Sequence, residues 1–197
     1  SRRAPRLGPI IGRVTAVAFV LVAIASAANC ADIPLDQRRS GYRDLGRDSK
    51  AMQDDDTINP ATLWVQDGEA LWNQKAGAAN RACADCHQDA TVSMKGVAAR
   101  YPAFSAARNG PVNLEQRINL CRSEHQQAQP FAYESRELLA LTAYVGRQSR
   151  GMAIAPPDDD RLAPFIEAGR KLFIRRIGQI DMSCAQCHDD NWGKKLA

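Results

Sequence analysis

The chain of 197 residues is long enough for one large domain or two small ones, and 45% hydrophobic with 24% charged residues excludes a disordered or fibrous protein. Its formal charge of +4 is accounted for by Arg2, Arg3, Arg6 and Arg13, all within the first 27 residues, where no acid occurs. The remainder is neutral overall, which excludes the electrostatic footprint of a nucleic-acid binder.

Residues 1–27 read as a secretory signal peptide: basic residues, an apolar run from Val14 to Ala25, then the small-x-small pattern Ala25-Ser26-Ala27. The run falls short of the roughly 20 residues a membrane span needs, so an uncleaved anchor is the weaker alternative. Arg2-Arg3 lacks the rest of a twin-arginine signal, and Asn29 disfavours a lipoprotein reading of Cys30. Position 1 is not Met, and the N-terminus is expected to be incomplete.

Residues 28–59 form a polar lead-in with at most short helices, ending near Asp54-Asp55-Asp56. Asn59-Pro60 is a helix start, and Leu63, Trp64, Leu71 and Trp72 recur at helical spacing, predicting a helix from Ala61 to Gln74. A loop of Gly, Ala and Asn leads into Cys83-Ala84-Asp85-Cys86-His87. Loop-like sequence follows through Tyr101-Pro102 and Asn109-Gly110-Pro111. A helix then resumes near Leu114 and carries Ile118, Leu120 and Cys121. Ser135 to Gln148 is the clearest helix, with a broad apolar face of Leu138, Leu141, Tyr144 and Val145. Residues 153–160, rich in Pro and Asp, read as a linker. A last helix starts near Leu162 or Pro164 and precedes Cys184-Ala185-Gln186-Cys187-His188.

In Cys-x-x-Cys-His the two thiols can add across the vinyl groups of a haem, and the adjacent histidine reaches the iron. A zinc site would want the two cysteine pairs roughly 15 to 20 residues apart; here 97 residues separate Cys86 from Cys184. Two motifs predict two covalently bound haem c groups held by Cys83, Cys86, His87 and by Cys184, Cys187, His188.

The two halves match beyond the motif at an offset of 101: Gly68 with Gly169, Leu71 with Leu172, Trp72 with Phe173, Gly77 with Gly178. This is an internal repeat, each copy opening with a helix whose Gly lets another helix cross closely. The fold expected is all-α, with tandem cytochrome c-like haem modules over 60–152 and 161–197, the second incomplete. Its closing helix would fall beyond Ala197, and a haem's apolar faces need covering. A longer gene product is therefore expected; the alternative is a true end with a partner subunit covering the haem.

For the first haem's second axial ligand the sequence offers Met94, His125, Met152 and Cys121. Met94 lies only seven residues past His87, Met152 lies beyond the closing helix, and His125 has polar neighbours that favour exposure. Cys121 sits midway between motif and closing helix, beside Arg122, whose charge would favour the thiolate. A Cys30–Cys121 disulfide and a buried free thiol remain open on residue type alone; the state of Cys30 is undetermined.

From about Leu45 to Ala197 the chain resembles the SoxA subunits of the SoxAX cytochromes of bacterial thiosulfate-oxidising systems. The resemblance is carried by Cys83–His87, Asn119-Leu120-Cys121-Arg122, the Glu137–Tyr144 helix, and Ser183–His188 followed by Asp189, Trp192 and Gly193. It implies that His87 and Cys121 coordinate the first haem and that His188 binds the second. The family's acting cysteine, a persulfide, maps about 25 residues past Ala197 by the repeat offset, so no catalytic residue lies in this chain, which is expected to be inactive by itself. The implied activity is that of an L-cysteine S-thiosulfotransferase. Thiosulfate is joined to a cysteine of the carrier protein SoxY, with electrons passing to haem and then to a soluble cytochrome c. The small haem subunit SoxX is the implied partner and the periplasm the implied location. A dihaem electron carrier with a Met ligand, and a dihaem thiosulfate dehydrogenase or peroxidase, are the competing readings.

Overall fold

The computed structural model describes residues 33, 34, 37 and 39–193; the signal segment and Cys30 lie outside them. The lead-in holds a 3₁₀ turn, Gly41–Asp44, and helix α1, Arg47–Asp54, which buries no side chain. It is tied to the body by polar contacts. Arg150 donates to Asp56 Oδ1 at 3.0 Å and to the Gln53 carbonyl, and Arg147 pairs with Asp56, while within the lead-in Tyr42 donates to Asp54 Oδ2 at 2.5 Å. Exposed pairs of this kind contribute about 0–1 kcal/mol each, so α1 is an attachment and not part of the core.

The frame is a pair of helices. In α2, Ala61–Asn73, Asn59 caps the start by accepting from the Ala61 N–H at 2.9 Å. The short helices α3 (Ala84–His87) and α4 (Ala90–Ser93) follow. Strands β1 (Ala103–Ser105) and β2 (Gly110–Val112) pair antiparallel, Ala103 opposite Val112. Helix α5, Leu114–Cys121, opens with a capping box between Asn113 and Gln116 and continues into a π-helical turn, Arg122–Gln126. Helix α6, Arg136–Arg147, is capped by the Ser135 hydroxyl and packs across α2.

That crossing occurs at Gly68. A Cβ there would stand 2.6 Å from Tyr144 Cβ and nearer still to the Ala140 carbonyl oxygen, so only glycine allows the approach. Trp72, Ala90, Leu141, Tyr144 and Val145 form the core around it, with Leu138 and Ala140 fully buried beside them. Burying one leucine of this kind contributes about 1.5–3 kcal/mol.

Beyond the linker come a 3₁₀ turn, Asp160–Leu162, helix α7, Ala163–Ile174, and helix α8, Cys184–His188. The turn docks on the hairpin: Leu162 is buried, the Arg161 guanidinium lies 4.3 Å over the Phe104 ring, and Asp159 holds Arg161 through both carboxylate oxygens. Ala155 donates to the Ala99 carbonyl at 2.8 Å, so the linker is tied back as well as stiffened by prolines.

The expected helices stand where the periodicity placed them. To the helices the structure adds one short hairpin. Each strand has only three residues, and Pro111 sits in one of them, so no period-2 signal was there to read. No helix among the described residues is long and apolar enough to cross a membrane.

Candidate haem-binding site

Before the first motif the chain makes a tight loop, closed by reciprocal Ala76–Arg81 backbone hydrogen bonds of 3.1 and 3.3 Å. Gly77 takes φ +68° and Asn80 φ +47° to achieve it. Asp85 accepts from the Ala82 N–H at 2.9 Å and fastens the start of α3. Trp72 fastens its end: the indole N–H donates to the Gln88 carbonyl at 3.0 Å, and the ring lies 5.7 Å from the His87 imidazole. Tyr144 backs Trp72 at 5.8 Å, linking the histidine to α6.

The same construction recurs in the second motif. Ile177 and Met182 form the bridge with bonds of 3.1 and 3.3 Å, Gly178 takes φ +78° and Asp181 φ +45°. Gln186 accepts from the Ser183 N–H at 2.9 Å, doing with an amide what Asp85 does with a carboxylate. Phe173 stands 6.3 Å from His188, as Trp72 does by His87. The surroundings differ. Around α7 and the second loop Ile166, Leu172, Ile177, Ile180 and Met182 are exposed, and a Cβ on Gly169 would meet nothing within 4 Å.

Cys83, Cys86, His87 and Cys121 line one cavity of about 360 Å³, within the size range of cofactor pockets. Its walls include Trp72, Val97, Leu114, Ile118, Leu141 and Val145, with Arg81, Arg100, Arg117 and Arg122 also present. An apolar macrocycle with two carboxylates fits such a lining: hydrocarbon for the ring, guanidinium groups for the carboxylates, two thiols for attachment, and an imidazole and a third sulfur for the iron. Among the described residues no group of three or more metal-ligating side chains gathers, so the two motifs do not assemble into a single metal cage.

Met94, just past the end of α4, also lines this cavity. His125 is exposed, as expected, yet touches the same cavity, whereas Met152 does not and packs near Gly96.

Burial pushes the Cys121 thiol above its ordinary value, and the cation that opposes this is Arg117. The expectation that Arg122 serves this role is corrected. Neighbours at i, i+1 on a helix diverge, whereas i and i+4 share a face. Arg122 instead lies 3.5 Å over Phe131, donates twice to the Gln129 carbonyl, and acts on Cys83, whose thiol burial also raises. The Cys121 thiol is free, as are those of the two motifs.

The roles of two positioning residues were not legible. Asn119 exchanges hydrogen bonds with the Phe131 backbone at 2.8 and 3.0 Å, folding the loop after the π turn onto α5. Asn119→Ala leaves both backbone groups without partners, and we expect a loss of about 1–3 kcal/mol in urea unfolding. The buried Gln126 donates to the Arg81 carbonyl at 2.9 Å. Both contacts are long-range or loop-borne, with no periodic trace in sequence.

Two free thiols spaced for haem attachment, an adjacent histidine packed on an aromatic ring and an apolar cavity define a c-type cytochrome domain. Residues 67–154 match the family model described as SoxA/TsdA, cytochrome c domain. The chain is 36% identical over 164 residues to the L-cysteine S-thiosulfotransferase subunit SoxA of Pseudaminobacter salicylatoxidans, covering 83% of this chain and 57% of that one. It is 32% identical over 157 residues to the SoxA subunit of Paracoccus pantotrophus, covering 80% and 54%. A crystal structure of SoxXA from P. pantotrophus superposes with a TM-score of 0.72 at 32% identity, covering 80% of this chain and 60% of that one. Residues 67–154 thus form a SoxA/TsdA-type cytochrome c domain, and the chain, similar to SoxA subunits over some four fifths of its length, spans little more than half the length of these curated relatives.

Proposed function

We propose that the chain is a dihaem SoxA subunit which, with SoxX, forms a periplasmic L-cysteine S-thiosulfotransferase joining thiosulfate to a cysteine of the carrier protein SoxY. The observation that carries this reading is the single cavity lined by Cys83, Cys86, His87 and Cys121, inside the segment that matches the SoxA/TsdA domain. Cys83 and Cys86 would attach the first haem, and His87 and Cys121 would bind its iron. Cys184, Cys187 and His188, with the same local geometry, hold the second. Residues 60–152 and 161–197 are then tandem cytochrome c-like units joined by 153–160, with 28–59 as lead-in and 1–27 as signal peptide.

Haem at both sites supplies one-electron acceptors for the two electrons released when a carrier thiolate and thiosulfate join through a sulfur–sulfur bond, a soluble cytochrome c being the final acceptor. The chain's own residues prepare the site. Trp72 holds the His87 ring, Asp85 and Gln186 fix the starts of the two attachment helices, and Arg117 offsets negative charge on the Cys121 sulfur.

Paired replacement of Cys83 and Cys86 by Ala, or of Cys184 and Cys187, is expected to halve covalent haem per chain in a pyridine haemochrome assay. The activity is tested by reconstituting the full gene product with SoxX and following thiosulfate-dependent mass addition to SoxY. If thiosulfate is oxidised at full rate without SoxY, the thiosulfate dehydrogenase reading replaces this one.

A further inference from the structure

We propose that Gln126 is a positioning residue for the first haem, holding the loop that carries Cys83 in register with the helical turn that carries Cys121. The inference rests on the site reading above and concerns a residue outside the attachment motif.

Gln126 is one of three buried polar side chains among the described residues, at 6% exposure. It lies five positions after Cys121, at the far end of the π turn, a helical form that recurs at functional sites. From there it grips the attachment loop at several points. Its side-chain amide donates to the Arg81 carbonyl at 2.9 Å and reaches Cys83 Sγ at 3.9 Å. Its own carbonyl accepts from the Ala79 N–H at 3.2 Å, while the Gln127 carbonyl accepts from Ala78 at 3.2 Å. The approach is close: a Cβ on Gly77 would stand 2.7 Å from the Ala128 nitrogen and nearer still to the Gln126 carbonyl oxygen. Arg122, from the same turn, donates to Gln126 Oε1 at 3.4 Å and is itself held over Phe131, so the glutamine is braced from behind.

The second motif shows what this contact is for. Its loop has the same bridge, the same bond lengths and the same left-handed glycine, yet a Cβ on Gly178 would meet nothing within 4 Å among the described residues. The loop therefore acquires its internal shape without such a partner. What Gln126 adds is the relation between the loop and the Cys121 turn. Attachment sulfur and axial sulfur come from segments joined by two backbone hydrogen bonds and by the Gln126 side chain, the contact that reaches closest to Cys83, and a haem bound through both sulfurs needs them in fixed register.

The test uses the full gene product matured with haem. Gln126→Glu keeps the shape, removes the donor and sets a carboxylate against the Arg81 carbonyl; Gln126→Met keeps the volume and removes both polar ends. Gly77→Ala pushes on the same contact from the loop side. The readouts are the ratio of doubly to singly attached haem at Cys83 and Cys86, by peptide mass spectrometry, and the low-temperature EPR signal of thiolate-ligated ferric iron. The ratio is expected to fall about fivefold, the factor that loss of one net hydrogen bond represents. The thiolate signal should broaden or split, with the second haem unchanged. If the folded variants lower only the melting temperature, leaving ratio and signal at wild-type values, Gln126 is structural and the proposal is overturned. If the wild-type protein itself lacks haem at Cys83 and Cys86, or shows no thiolate signal, the site reading fails and this proposal with it; that result is separate because it appears before any Gln126 substitution is made.

Discussion

Gly68→Ala will destabilise the first haem unit by about 3–5 kcal/mol, while the repeat-equivalent Gly169→Ala will stabilise the 197-residue chain by up to about 1 kcal/mol. The opposite signs follow from one geometric difference. At Gly68 the added methyl meets backbone of α6, the Ala140 carbonyl, together with Tyr144 Cβ at 2.6 Å, and backbone does not rotate away. The helices must separate, and α6 carries Leu141 and Val145, which line the haem cavity and seal the core. At Gly169 the methyl enters open space, so only the higher helix propensity of alanine is felt. Thermal unfolding is the direct measurement: a fall of about 15 °C or more is expected for Gly68→Ala. A near-wild-type melting curve would mean that α2 and α6 do not cross as described. Because Leu141 and Val145 move with α6, covalent haem at Cys83 and Cys86 should fall in parallel, whereas haem at Cys184 and Cys187 should not.

Cys121→Met will raise the reduction potential of the first haem by on the order of 0.1 V or more, and Cys121→Ala will remove the thiolate signal from the ferric EPR spectrum. An anionic sulfur donates charge and favours the ferric state; a neutral thioether does so far less. The structure sharpens this expectation in two ways. Cys121 lines the cavity together with His87, and its thiol is raised by burial, so the bound thiolate is a form that the apolar pocket by itself resists. Iron coordination deprotonates a thiol outright, and Arg117, one turn earlier on the same face, opposes the cost of burial. Met94 and His125 line the same cavity, which supplies a second outcome to look for in Cys121→Ala. A new low-spin signal of nitrogen or thioether type would identify which of them moves in. A thiolate signal surviving in Cys121→Ala would remove Cys121 from the iron.

How much of this was legible differs by kind of interaction. The two motifs, their offset and the helices around Trp72, Cys121 and Tyr144 were readable because each leaves a local or periodic trace. The glycine at the helix crossing was readable only through the repeat, which singled out Gly68 and Gly169 together; their different surroundings were not, since those depend on what packs against each helix. Arg122 was misassigned because adjacency in sequence is not adjacency on a helix, and Arg117 was the residue the helical period should have nominated. Asn119 stood out only as part of the Asn119–Arg122 segment, not for what it holds, and Gln126 left no trace at all. One pins a loop twelve residues on, and the other reaches back 45 residues to Arg81. Such contacts exist only once the chain has closed on itself.

The crossing at Gly68 also imposes an order in time. The wall that α6 contributes begins about 50 residues after Cys83, which at synthesis rates of roughly 5–20 residues per second delays its emergence by some 3–10 s. Until α6 is made, α2 lacks the helix it crosses at Gly68 and Trp72 lacks the Tyr144 ring behind it, so the core of the unit closes from its C-terminal side.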